Sequence, residues 1–485
     1  MLAGVFDPPP EALTVPIALP LIDITKVRFF RLLSLLIPLS SCASYHPLPL
    51  SNASVQQRLR TPAAKALQIA AAQLHHPLFA PVPLNLRRGL GPDQAAILAV
   101  ILTPKLRADR DRRGLAVAQL IQAGILPNPT IGYTRDFVTG GATHGTVTAF
   151  GFTGSWDISA LVSHNAKVAA ARANVQAISL DVAWTEWQTA VAAKLALYRV
   201  VALEAELIRA KEIASDQQQT VDTLQAAVDR HEKTVLDLAA AQASREDAHA
   251  TVLTLEQERD RQRLELKKAV GVLPETELPI EQGVAIPSVL QLPSEGELVA
   301  DLENRRLDLM GLRQGYQSQE QTVRAAVLAQ FPKVVLGFNP HSSDTTNVHT
   351  AGFGITIDLP IFDRNQGNIA IETATRQKLF DEYVARVFEA HSDIATAVAD
   401  IRSLNRQVAA AEAALPVLQH LVDIAKEALD QGAADVLGYF QAKTNLNQKS
   451  LQIIKLKQQL VDSRIDLELA SGRYLPAGHW QKESE

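Results

Sequence analysis

Cysteine is nearly absent from this chain: one in 485 residues, which excludes a disulfide framework and any cysteine-based zinc knuckle. Aromatic residues are scarce at 5% although hydrophobic residues reach 47%, so the apolar content is aliphatic and visibly alanine-rich. Such a composition suits long, closely packed helices better than one thick globular core. Neither sign of charge dominates. The 47 Lys and Arg against 52 Asp and Glu leave a net charge of −5, without the basic face that nucleic acid requires. There is no Gly-rich phosphate loop ending in Gly-Lys-Ser/Thr, no His-Glu-x-x-His and no Gly-x-Ser-x-Gly. Nothing in the motifs asks for an enzyme, a cofactor or a resident metal. His75-His76 lies on a Pro-rich connector and His341 and His349 on a hairpin loop, where solvated side chains are the ordinary expectation.

What is present begins with an export signal. Lys26, Arg28 and Arg31 precede and edge the apolar run from Phe29 to Leu39, a charged n-region and short h-region. That run is too short to span a bilayer as a mature helix, which takes about 20 apolar residues. Leu39-Ser40-Ser41-Cys42 follows, and this resembles the lipobox of bacterial lipoproteins. The resemblance implies that Cys42 becomes a lipidated first residue, and that Ala43 after it directs sorting to the outer membrane.

The chain is written twice. Asp157 and Asp358, Val235 and Val436, and Gly271 and Gly472 are each separated by 201 positions. Around these landmarks Gly151-Phe152 answers Gly352-Phe353, and Thr234-Val235-Leu236 answers Asp435-Val436-Leu437. Each copy reads as one helix (roughly 92–126 and 297–330) and then two extended runs (128–138 with 146–159, and 332–340 with 350–361). A very long helix follows (about 164–230 and 366–431), then a shorter one (about 234–270 and 435–471). A helix of about 66 residues rises roughly 100 Å, more than any globular core, so it runs along a rod or the wall of a tube. Leu180, Trp184, Trp187, Val191, Leu195 and Tyr198 recur at steps of three or four, the seam of antiparallel helix packing rather than a cofactor box. The expected division is 1–41 extension and signal, 42–91 tether, 92–271 first repeat, 272–296 connector, 297–472 second repeat and 473–485 tail.

The extended runs alternate. Ala351, Phe353, Ile355, Ile357 and Leu359 share one face, and Gly352, Gly354, Thr356 and Asp358 share the other. Phe150, Phe152, Trp156 and Ile158 oppose Ala149, Gly151, Thr153, Ser155 and Asp157 in the same way. Strands of about ten residues, apolar outward and small or polar inward, are the pattern of a membrane β-barrel. Four strands cannot enclose water, and their open edges would face lipid unpaired. Several chains must therefore contribute, and a trimer gives twelve strands.

Gly124-Ile-Leu-Pro-Asn-Pro-Thr130, the passage Asp358-Leu-Pro-Ile-Phe-Asp-Arg-Asn-Gln-Gly-Asn-Ile369, and Gln431-Gly-Ala-Ala-Asp435-Val-Leu437 resemble the TolC-type outer-membrane efflux factors, lipoprotein subgroup, over roughly 60–476. The resemblance implies a mainly α chain with a small β part: long antiparallel α-hairpins walling an α-barrel, plus four transmembrane strands per chain. It implies a homotrimer in outer-membrane lipid, serving an inner-membrane RND-type pump through a periplasmic adaptor (membrane fusion) protein. The function implied is passive conduction from periplasm to exterior, with a lean towards heavy-metal or drug efflux. A periplasmic lipoprotein adaptor or a coiled-coil scaffold is the alternative; an adaptor should show a split lipoyl-like β-domain flanking one hairpin rather than a full-length duplication, and a scaffold explains the helices but not the alternating strands.

Three places carry the expected function. Cys42 tethers the chain to lipid. Asp157 and Asp358 face the lumen, or else cap the helices that follow. At the periplasmic tips Asp229, Arg230, Gly432, Asp435, Val436 and Leu437 close the tunnel and receive the adaptor. Asp435 forms an acidic ring or simply N-caps the last helix.

Overall fold

The computed structural model describes residues 44–79, 82–85, 88–141, 144–286, 292–431 and 436–473. The chain divides into two units at Arg58, within helix α1 (Asn52–Leu59). All remaining elements belong to the second unit, which opens with α2 (Ala64–Ala72).

The first repeat begins with two helices where one was expected. Thr103 leaves the helical region at ψ 118 and Pro104, which has no N–H to bond backward, opens a new helix. The result is α3 (Pro92–Leu102), almost wholly buried, and α4 (Pro104–Gly124), largely exposed. The corresponding stretch of the second repeat is three pieces, α7 (Glu295–Val299), α8 (Leu302–Arg305) and α9 (Leu307–Leu328). Between α7 and α8 Asp301 takes φ 58, which breaks the helical path.

The long helices fall within a few residues of their expected ranges, the first starting four residues earlier and the second ending one residue sooner. They are α5 (Ala160–Asp229, 70 residues) and α10 (Gln366–Asp430, 65 residues), about 105 and 98 Å by helical rise. Each is followed by a 36-residue helix, α6 (Val235–Val270) and α11 (Val436–Ser471). Along α5 the neighbours change in order. Ser318 of α9 donates to the Ala170 carbonyl and Arg113 of α4 to Ser179, while Leu207, Ala210, Val221 and Leu224 pack on α6. One long helix thus runs beside shorter ones stacked end to end. The second repeat does the same: Glu372 and Arg376 of α10 meet α9, and Val408 and Val422 meet α11.

The main core sits where α2, α3, α5, α6 and α11 meet, around Trp187, Leu197, Ile97, Leu266 and Ile465. The connector joins it through Leu278, Ile280 and Val284. Leu90 donates to the Pro279 carbonyl and accepts from Glu281 N–H. That approach needs Gly89, at φ 96, because a Cβ there would lie 2.6 Å from the Ile280 and Glu281 backbone. His76 is not solvated as its connector position suggests. It is half-buried, stacked on Phe79 at 4.1 Å, and burial holds its imidazole below the ordinary pKa.

The strands form one antiparallel sheet in the order β1-β2-β3-β4: β1 (Thr130–Asp136), β2 (Ala149–Asp157), β3 (Lys333–Ser343) and β4 (His349–Asp358). The β2–β3 pairing joins the two repeats, and β1 and β4 remain as open edges.

Candidate functional site

Cross-strand partners in an antiparallel pair share a face, so the register assigns the faces. Ile131 pairs with Gly154, Tyr133 with Phe152, Trp156 with Leu336, Phe338 with Phe353, and Leu336 with Ile355. All lie on one face, and its apolar side chains are bare: Ile131 is 83% exposed, Phe353 89% and Ile355 59%. The other face carries Gly132, Thr134, Gly151, Thr153, Ser155, Gly337, Gly352, Gly354 and Thr356. A half-buried sheet would hide its apolar face; this one leaves it uncovered within the chain. At the loop end of that face, rings run across all four strands: Tyr133 on Phe152 (5.0 Å), Phe150 on His341 (5.3 Å) and His341 on His349 (5.0 Å).

A register slip interrupts β3 between Asn339 and Ser342, and on the β2 side between Phe152 and Gly154. It seats the Phe338 ring over Gly154, where any Cβ would fall 2.1 Å from the ring. The alternation alone carries no sign of this extra residue.

Asp157 and Asp358 both end strands on the small and polar face. Lys333 pairs with Asp358 in register, and its Nζ lies 3.8 Å from Asp157 Oδ2. One lysine therefore stands between the two carboxylates. Asp157 also accepts from the Ser159 N–H at 3.0 Å and from the Ser159 hydroxyl, at the start of α5. The second repeat turns the same corner differently. Asn365 adopts φ 60, its N–H donates to Asp363 Oδ1 and its side chain to the Ala326 carbonyl, while Arg364 N–H donates to Gln366 Oε1. Asp-Arg-Asn-Gln is thus a folded corner whose left-handed residue is one of the few side chains that tolerate it.

At the far end of the helices, the α5–α6 turn is fully described. Glu232 N–H donates to the Ala227 carbonyl and His231 N–H to Val228, with His231 at φ 57. This is a Schellman closure with histidine in the position glycine usually takes. Arg230 grips Glu232 through two hydrogen bonds of 3.0 Å, and Gln225 donates to Asp229. Thr234 then caps α6 in a reciprocal box with Asp237, whose carboxyl is held below its ordinary pKa by the Thr234 N–H and hydroxyl. Val235 and Leu236 point outward, 72% and 80% exposed. In the second repeat, Gly432 and Asp435 lie outside the described residues, and Val436 and Leu437 open α11.

The turns are joined by residues the sequence reading did not single out. Phe440 of α11 packs on Val221, Leu224, Leu238 and Ala241 of the first hairpin. Lys443 lies over the Tyr439 ring and 3.9 Å from Asp216 of α5, and burial lowers its pKa. The signal was available, since Tyr439, Phe440 and Lys443 recur at helical spacing, but which hairpin they meet is set by tertiary packing. Cys42 and the signal run lie outside the described residues. Among the described residues no group of three or more metal-ligating side chains comes together.

Residues 298–473 match the outer membrane efflux protein family. The cation efflux system protein CusC of Escherichia coli O157:H7 is 27% identical over 214 residues, 42% of this chain and 45% of that protein. The cobalt-zinc-cadmium resistance protein CzcC of Cupriavidus metallidurans is 24% identical over 271 residues, 54% of this chain and 59% of that one. The matched segments thus span about half the length of these relatives. In three dimensions the solved structure of CusC superposes with a TM-score of 0.68 at 20% identity, covering 83% of this chain and 99% of that one. The outer membrane protein VceC of Vibrio cholerae gives 0.66 at 19% identity, covering 79% and 96%. The family match falls on the second repeat, and the chain as a whole shares the fold of these solved outer-membrane proteins.

Proposed function

We propose that the protein is the outer-membrane channel of a tripartite efflux system, a trimeric passive conduit from periplasm to exterior. The observation that carries this reading is the sheet: an uncovered apolar face, a small and polar opposite face, and two unpaired edges. In lipid those edges are untenable in a single copy, because each unsatisfied backbone group costs several kcal/mol. Edge β4 of one copy pairing with edge β1 of the next removes the problem, and three copies give twelve strands. The uncovered apolar side of α10, with Phe380, Val384 and Phe388, then meets a neighbouring copy instead of water.

In this assembly the Gly/Thr/Ser face lines the pore and no bond is made or broken. Asp157, Asp358 and Lys333 stand where strands pass into helices, so each copy brings two carboxylates and one ammonium to the lumen. Val235 and Leu236, answered in the sequence repeat by Val436 and Leu437, form an apolar rim at the first tip that suits a periplasmic adaptor, itself bound to an inner-membrane RND-type pump. Asp229 and Arg230 hold the first turn. In the 201-residue repeat of the sequence Asp435 answers Thr234, which caps α6, and this favours N-capping over gating for it. Cys42, after a cleaved signal, adds a lipid tether whose single modified terminus anchors weakly without the barrel. Relatives named for cation efflux and for cobalt, zinc and cadmium resistance make metal cations the cargo class we favour.

The test is conductance. The purified chain added alone to a planar bilayer should give discrete, long-lived current steps. A bilayer that stays silent while the chain remains attached only through a lipid would leave an adaptor or scaffold as the better reading.

A further inference from the structure

The ring belt on the sheet ends in two histidines with no hydrogen-bonding work. His341 lies near the end of β3 and His349 opens β4; both are exposed, and among the described residues neither ring nitrogen makes a hydrogen bond. Ser343 is the direct cross-strand partner of His349, so His341 is its diagonal neighbour two residues away on the same face. The register slip just before Ser342 brings His341 there, with the rings 5.0 Å apart and 21° from parallel.

We propose that His341 and His349 form a chelating site for a divalent transition cation of the copper, nickel or zinc class at the loop end of the β3–β4 hairpin. Imidazole nitrogen is a preferred ligand of these ions, bound at about 2.0–2.1 Å, so two ligating nitrogens must come to roughly 3 Å from each other. Small rotations of two exposed side chains on neighbouring strands achieve that without moving backbone. Water completes the shell. A bound ion ties β3 to β4 beyond the slip. The site belongs to the hairpin and stands whether or not the chain conducts.

The full chain, purified in detergent without a histidine tag and stripped with a chelator, is titrated with copper(II) alone. One equivalent should give an electron paramagnetic resonance spectrum with two coupled imidazole nitrogens. His341→Ala or His349→Ala should leave one nitrogen and weaken binding at least tenfold, while His391→Ala, on α10, changes neither. Both histidines are exposed, so truncation opens no cavity; His341→Asn and His349→Asn repeat the test with side chains that keep a polar surface. Wild-type spectra and affinity retained in both the alanine and asparagine variants would overturn the site.

Discussion

His231 shows how much a single position states. At φ 57 its backbone occupies a region that costs an L-residue about 1 kcal/mol or more, yet the turn closes there with both helix-ending hydrogen bonds. The 201-residue repeat places Gly432 at the matching position, so the sequence already shows that the site accepts glycine. His231→Gly should therefore strengthen the tip by about 0.5–1 kcal/mol, seen as slower amide hydrogen exchange over residues 224–238. Faster exchange there would mean the histidine makes contacts that outweigh its strain. Gly154 is the opposite case. Its need for no side chain comes from Phe338, more than 180 positions away, and only the pairing reveals it. Gly154→Val should displace the Phe338 ring and break the β2–β3 register, seen as faster amide hydrogen exchange along β2 and β3, whereas Gly140→Val, in an open loop, should leave that exchange unchanged.

Between elements, the fold is held by charge as well as by aliphatic packing. Lys194 of α5 and Glu468 of α11 are 0% and 1% exposed and 3.1 Å apart, and burial still pushes the Glu468 carboxyl above its ordinary range. Lys194→Met alone leaves the buried Glu468 carboxylate to Arg464 at 3.9 Å and should cost about 3 kcal/mol, while Lys194→Met with Glu468→Met should recover most of it in denaturant melts. Additive losses would show that the two side chains act independently. A second junction joins α9, α10 and the end of α11. Asp308 binds Arg306 at 2.6 Å and Arg386 at 2.9 Å, and Arg306 also donates to the Ala470 carbonyl and stacks on Trp184. Burial alone would raise the Asp308 carboxyl, but the two guanidiniums outweigh it and hold the pKa below the ordinary value. A depressed carboxyl stabilises the fold above its unfolded pKa of about 3.9 and loses that contribution as pH falls through the lower folded value. Asp308→Asn should thus melt earlier than the wild type at pH 7, with the gap closing below about pH 4. A gap independent of pH would assign the loss to shape, not charge. Neither junction shows in the sequence, because Lys194 and Glu468 sit among periodic helical residues indistinguishable from solvated ones.

At the scale of the molecule, the tandem copies, the two very long helices and the alternating strands were all legible, because each repeats a period along the chain. What was not legible arises from contacts across it: the breaks at Thr103 and Asp301, the extra residue in β3, Lys333 between Asp157 and Asp358, and Phe440 bridging the two hairpins. Assembly follows the same logic, since the open edges of β1 and β4 are visible only once the strand order is known. Single cysteines placed along β1 (130–136) and β4 (349–358) of one chain, scanned pairwise in native membranes after Cys42→Ala, address the ring directly. The account predicts that one register crosslinks copy to copy through these edges, with a ladder that stops at three linked chains. Chains that remain unlinked at every register, or a ladder that grows past three, would contradict a closed twelve-stranded wall.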